Sequence, residues 1–474
     1  MNVNDSFRYL SIGLPDDIRR KKEYGDFEGA LSLIQRELDR PYLPYAMRMC
    51  LTAEQEILKR LPEHYPYTRE TALQEVRAHI PDFTEAEFDQ KVEAGKILWI
   101  YLNGEPHYFA RFFPTLCKAD PKFAIRAGVV LQGTESDVLA GTLKQETPQD
   151  RCIRLMKETG SYARRIRIRA TAKVKDSEFR PGMFVRVHLP IPAACEEQSE
   201  IRIEKVFPEN AMIAPEDAPQ RTVCWEETLQ ENHEFSVEYS YIHRANFRDT
   251  AAMLQGTYTG PDFKAAYPAP TEADVQEIAP HVIFTPYIKA LAEELAGDVT
   301  DPLEKAKIFY DYISLNMKYT FMPDYFCEEN IAENCARNFT GDCGVFAMLL
   351  ITLLRYSGIP AVWQSGFAAE PGFIGGHDWL RFYVEPYGWI YADPSYGTAA
   401  VRAENEERRQ FYFGNLDAYR TVLNNAIEEP FTVEKQFFRA DPYDNQLGEI
   451  ETDERGLTYG EFIRTKEILQ CEEI

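Results

Sequence analysis

The chain has 474 residues, 45% hydrophobic and 13% aromatic, enough for packed cores and, by ordinary size relations, for about three domains. Its 52 Lys and Arg stand against 76 Asp and Glu, a formal charge of −24, which disfavours nucleic acid and anionic membrane surfaces as partners. Nine cysteines, an odd number with no Cys-x-x-Cys pair, exclude a zinc knuckle and point to reduced thiols.

The start of the chain, Met1 to Phe7, lacks a charged-then-apolar leader pattern, and no apolar stretch reaches the ~18 residues of a membrane span, so a cytoplasmic location is expected. From about residue 26 to 96 the apolar spacing is helical. Phe27, Ala30, Leu31, Ile34 and Leu38 share one face, and Ala72, Leu73, Val76 and Ile80 share another. Thr84 and Glu87 form a capping box for a helix ending near Gly95. Residues 97–102, the Asn103-Gly104 pair and residues 107–111 then read as a hairpin. Helices followed by a hairpin give the order of a winged helix, but Glu85, Glu87, Asp89 and Glu93 against a lone Lys91 would meet phosphate with the wrong sign. An accessory or protein-contacting unit over 1–150 is the better reading.

After a polar joint at Glu146 to Asp150 the period changes to two. Ile166 and Ile168 alternate with Arg165, Arg167 and Arg169, and further strands are expected at 184–189, 201–206, 222–226 and 235–241. This predicts an antiparallel sandwich over 151–260, with the arginines on a solvated face. A second joint, Gly256 to Pro270, precedes a catalytic-type core over 261–440, and 441–474 reads as a polar tail whose acidic run, Glu449 to Glu454, lacks the pattern of a calcium loop.

Within the core, Asp301-Pro302 opens a helix. A polar turn ending in Asp342 then delivers Cys343 to the start of an apolar helix that stops at Ser357-Gly358. There the unpaired N–H groups and the helix dipole favour thiolate. A strand over 359–367, a glycine-rich loop over 371–376, a strand from His377 and a strand ending at Asp393 follow, with a charged helix over 403–410. If the last two strands form a hairpin, His377 and Asp393 lie side by side. Cysteine nucleophile, histidine base and orienting acid are the parts of a triad. Tyr319 and Asn338 are candidate second oxyanion donors, and Trp363 and Trp379 candidate groove walls.

Gly341-Asp342-Cys343-Gly344, Arg355 with Gly358-Ile359-Pro360, His377-Asp378-Trp379, Gly388-Trp389 and Asp393-Pro394-Ser395 together resemble the core of the transglutaminase-like superfamily, a papain-like fold. Ser395 replaces the usual Thr and Arg381 stands where an acid is frequent; neither falls on the triad. The resemblance, strong over about 300–400, implies an α+β protein: a papain-like transglutaminase core preceded by an antiparallel β-sandwich and an N-terminal helical domain of winged-helix order. It makes Cys343, His377 and Asp393 the catalytic positions and implies acyl transfer through a thioester, with no cofactor or metal. Cys327 and Cys335 lack the zinc-ligand spacing of the glycan-cleaving branch. The leading expectation is a cysteine hydrolase acting on a peptide or protein substrate, with no nucleic acid or membrane partner. The alternatives are a transglutaminase using an amine acceptor and a non-catalytic peptide-binding scaffold.

Overall fold

The computed structural model describes residues 2–129, 146–261 and 268–474. Helices Asp16–Tyr24, Phe27–Leu38 and Tyr45–His64 bury Ile18, Ile34 and Ile57 in the same hydrophobic core as the Cys343 helix. Helices Arg69–His79 and Glu85–Glu93, the hairpin β1 (Trp99–Leu102) and β2 (Glu105–Tyr108), and helix Phe112–Ala119 enclose a separate core around Val76, Phe88, Tyr108 and Leu116. The single unit anticipated over 1–150 is therefore divided, because the first helices turn their apolar stripes toward the core and the later ones toward each other. The capping box forms as the sequence suggests: Thr84 accepts from Glu87 N, and Glu87 accepts from Thr84 N at 2.8 Å. The polar joint at 146–150 proves to be a helix start, with Thr147 capping Pro148–Thr159 and burying Cys152 and Met156.

Strands β3 (Ser161–Val174), β4 (Met183–Pro190), β5 (Gln198–Phe207), β6 (Met212–Ile213), β7 (Thr222–Leu229) and β8 (Phe235–Asn246) build the sandwich. Period-two alternation sends Ile166 and Ile168 fully inside. Arg165, Arg167 and Arg169 face outward and pair with Glu200 at 3.1 Å, Glu238 at 2.7 Å and Glu234 at 3.1 Å.

In the core, helix Pro302–Asn316 is capped by Asp301. A short parallel pair, β9 (Lys318–Tyr319) and β10 (Thr340–Gly341), leads to the Cys343 helix (Cys343–Tyr356). That helix is buried on every side from Cys343 to Arg355, as its continuous apolar run requires. Strands β11 (Ala361–Glu370), β12 (Phe373–Val384), β13 (Gly388–Ala392), β14 (Phe413–Gly414) and β15 (Arg420–Asn424) form an antiparallel sheet in the order β14-β13-β12-β11-β15. The glycine-rich loop shrinks to a turn at Pro371-Gly372, and Gly375 and Gly376 pair inside β12. The helix expected over 403–410 is replaced by Pro394–Arg402 and Glu406–Phe411, since Asp393 caps the first with proline at its first position. Residues 262–267 of the anticipated joint lie outside the described residues.

The segment after 440 is not a tail. Strand β16 (Glu449–Glu451) pairs with β4, and β17 (Phe462–Glu473) pairs with β3, giving sheets ordered β16-β4-β7-β6 and β17-β3-β8-β5. Glu449 is fully buried because it accepts from Lys435 at 2.8 Å and from the N–H groups of Ala440 and Asp441. Glu451 is held by Arg186 and by the N–H groups of Gln436 and Phe437. The first two acids of the run thus carry their charges inward onto fixed donors, while Asp453 and Glu454 face solvent.

Candidate active site

Cys343 occupies the first position of its helix, directly after the cap residue Asp342, whose side chain accepts from Val345 N. Gly344 follows because a β-carbon there would strike the Tyr325 ring, 2.2 Å from its hydroxyl oxygen. The Tyr325 hydroxyl in turn donates to Asp342 at 2.6 Å. Strands β12 and β13 pair from Leu380 and Ala392 to Val384 and Gly388, which carries Asp393 back to the His377 end. His377 Nε2 and Asp393 Oδ2 lie 2.7 Å apart, both buried.

Asp393 has further duties. Its Oδ1 accepts from Tyr396 N at 2.8 Å, and Arg420 Nη1 stands 3.0 Å from Oδ2. Arg420, from β15, also donates to Asp417 at 2.7 Å and lies over the Tyr396 ring. Burial pushes the Asp393 carboxyl up, but His377, Arg420 and the hydrogen bonds outweigh it and hold the group below its usual range. Burial also dominates at His377, and its pKa falls despite Asp393. Burial thus favours the neutral imidazole, and beside an Asp393 held toward its ionised form the arrangement suits donation from Nε2 to the carboxylate.

The thiol has a different partner. Cys343 Sγ donates to Asp378 Oδ2 at 3.2 Å, and among the described residues it makes no hydrogen bond to His377. Strand geometry gives the reason. His377 and Asp378 are consecutive on a regularly paired strand, so their side chains leave opposite faces. His377 joins Trp379, Tyr396 and Asp393. Asp378 joins Ser365, Asp444 and Gln446: Gln446 donates to both carboxylates, and Ser365 donates to Asp444 at 2.5 Å. Two of the three expected catalytic residues, His377 and Asp393, are thus paired, while the side-chain hydrogen bond of Cys343 runs to Asp378.

This setting opposes thiolate. Burial first, then the charges of Asp378 and Asp342, push the Cys343 thiol well above its ordinary range. The helix start that the sequence offers as activating is occupied by an acid instead. Burial and the neighbouring Asp444 and Asp342 likewise push the Asp378 carboxyl far up, toward its neutral form.

Trp363 is a core residue, 3% exposed among the apolar side chains around the Cys343 helix. Trp379 is fully buried and donates to Gln364 at 2.7 Å, with its ring 5.9 Å from that of His377. Tyr319 and Asn338 line a cavity of about 340 Å³ with Thr340 and Arg402, and neither Cys343 nor His377 lines it. Tyr319 packs edge-on against Phe346 of the Cys343 helix, whereas exposed Asn338 donates to Asn334. Asp378 was open to notice as the neighbour of His377, but Arg420, Asp417, Asp444 and Gln446 carry no local signal. No group of three or more His, Cys, Asp or Glu suited to a metal occurs among the described residues.

Residues 289–394 match the model of the Transglutaminase-like superfamily. The Uncharacterized protein YebA of Bacillus subtilis (strain 168) is 26% identical over 129 residues, 23% of this chain, and the chain spans only 17% of that relative's length. A solved structure from Cytophaga hutchinsonii, described as a "Putative Cysteine Protease", aligns with a TM-score of 0.40 at 16% identity, covering 67% of this chain and 92% of that one. The periplasmic domain of TgpA from Pseudomonas aeruginosa aligns with a TM-score of 0.27 at 14% identity, over 55% of this chain and 96% of that one. The stretch that matches the Transglutaminase-like superfamily model, 289–394, holds Cys343, His377 and Asp393.

Proposed function

We propose that this protein is a thiol-dependent hydrolase of peptide or amide bonds, with Cys343 as nucleophile, His377 as its proton partner and Asp393 as the orienting acid. The observation that carries the reading is the buried His377–Asp393 pair at 2.7 Å, within the same family segment as a cysteine at a helix start. In the reaction, Sγ forms a bond to the carbonyl carbon, and its proton passes to the imidazole and then to the departing amine as the C–N bond breaks. Water, deprotonated by the imidazole, attacks the thioester, and the C–S bond breaks to release acid and thiol. The N–H of Cys343 faces the developing oxyanion.

The resting contact of Sγ with Asp378 sets a condition on this reading: the thiol must leave Asp378 to engage His377, and a rearrangement at the start of β12 is one way to do so. Gly375 and Gly376 precede His377, and two residues without β-carbons are where a strand accepts a bulge that re-aims the next side chain. The same contact favours a second reading, a peptide-binding scaffold whose thiol stays protonated. Incubation with a peptide library, with and without a primary amine, separates them. Hydrolysis lost in Cys343→Ala supports the hydrolase. Amine incorporation identifies a transferase, and peptide binding without turnover in the unaltered protein leaves the scaffold.

A further inference from the structure

The sandwich carries a cavity beside its edge strand β17. Strands β3 and β17, the end of β4, Phe367 of β11 and the segment Gln446-Leu447 enclose a cavity of about 430 Å³. Lys175, Arg464 and Lys466 line it and no carboxylate does, in a chain of net charge −24. Arg464 and Lys466 stand two residues apart on β17 between Phe462 and Ile468, so both project into the sandwich interior. None of the three cations forms an ion pair among the described residues. Arg464 donates to Tyr459 O at 2.9 Å, and Lys466 Nζ sits 4.3 Å from the centre of the Phe367 ring. Burial and the nearby Arg464 push the Lys466 ammonium down to about 8, as expected of a cation without a counter-charge. Inward charges on an edge strand also deter edge pairing, but that task calls for neither an enclosed volume nor the third cation beyond the end of β3.

We propose that this cavity is a subsite for a carboxylate of a peptide substrate, either an acidic side chain or a chain terminus. The proposal rests on the hydrolase reading. Two cations on one face of β17 and a lysine just past the end of β3 suit a carboxylate through charge-assisted hydrogen bonds, and the volume is that of an ordinary small-ligand pocket. Gln446 joins the two sites. It lines the cavity and donates to the Asp378 carboxyl whose other oxygen holds Cys343 Sγ.

Calorimetric titration of the full chain carrying Cys343→Ala, which reads binding without turnover, tests it with N-acetylglutamate α-amide (side-chain carboxylate alone), N-acetylglutamine (terminal carboxylate alone), N-acetylglutamine amide (no carboxylate) and inorganic phosphate. One of the two monocarboxylates is expected to bind, the side-chain or the terminal one naming the source, and the carboxylate-free diamide not to saturate. Lys466→Gln and Arg464→Gln are each expected to weaken binding about tenfold, equivalent to about 1.4 kcal/mol, and Lys466→Arg to restore it. Binding of the diamide as tightly as either carboxylate, phosphate binding as tightly as the carboxylates, or unchanged affinity in both glutamine variants with intact thermal unfolding would overturn the subsite. Turnover of peptides by the unaltered protein with a flat titration rejects the subsite alone. A carboxylate-selective titration without turnover of any peptide rejects the hydrolase reading while the anion site stands.

Discussion

Asp393 divides its carboxylate between two tasks, capping a helix through Oδ1 and receiving His377 through Oδ2. Arg420 stands between Asp393 and Asp417 with no exposure of its own. Replacing it by methionine leaves two buried carboxylates without their cation, and Arg420→Met is expected to cost about 3–5 kcal/mol of unfolding free energy in urea titrations. The pKa of His377, read by NMR, should rise in the same variant, since Arg420 disfavours the imidazolium. At Asp378 the sign runs the other way from a paired carboxylate. Its folded pKa is raised, so the stabilisation it offers is fully present below about 3.9, the unfolded value, and is lost as pH rises through the folded value. Asp378→Asn is therefore expected to gain stability relative to the parent protein as thermal melts move from pH 4 to pH 8. The substitution also takes away the carboxyl group that helps to raise the thiol pKa, so alkylation of Cys343 by iodoacetamide at pH 7 should speed up several-fold. An unchanged rate would show that Asp378 does not hold the thiol.

Among the elements, the β12–β13 hairpin was readable from its turn and from period-two strands, and with it the meeting of His377 and Asp393. The face on which Cys343 arrives was not readable. Alternation states that His377 and Asp378 point apart, but only the docking of the Cys343 helix on the sheet decides which of them meets the sulfur. Gly366 lies opposite His377 where β11 also pairs irregularly with β15, the strand that carries Arg420. A β-carbon at Gly366 would fall 1.8 Å from Thr421 O, a backbone atom that cannot rotate away. Gly366→Ala is accordingly expected to displace β15 and cost about 1–3 kcal/mol, measured by chemical denaturation. A neutral outcome would mean that β15 yields freely and does not anchor Arg420.

Across the whole molecule, the two ends of the chain close on regions distant in sequence. Strand β17 pairs with β3 from Phe462 against Val174 to Glu473 against Arg164, and Asn2 and Asn4 reach the carbonyls of Lys435 and Phe437. Ending the chain before Phe462 should bare β3 along its length and open the sandwich core. The expected result is aggregation in size-exclusion runs and loss of a cooperative melt; a soluble, cooperatively melting product would show β17 to be dispensable. The sequence by itself determined what rests on local periodicity and capping: the Thr84 and Asp301 caps, the inward Ile166 and Ile168, the buried Cys343 helix, and the hairpin joining His377 to Asp393. These follow from neighbours within a few residues or from one strand's alternation. Tertiary structure alone decided the burial of Glu449 and Glu451, the return of β17 to the sandwich, the arrival of Arg420 at Asp393 and the attachment of the thiol to Asp378. Each of these depends on a partner brought from elsewhere in the chain, and a sequence does not display the partner of a charge that it has to fold to meet.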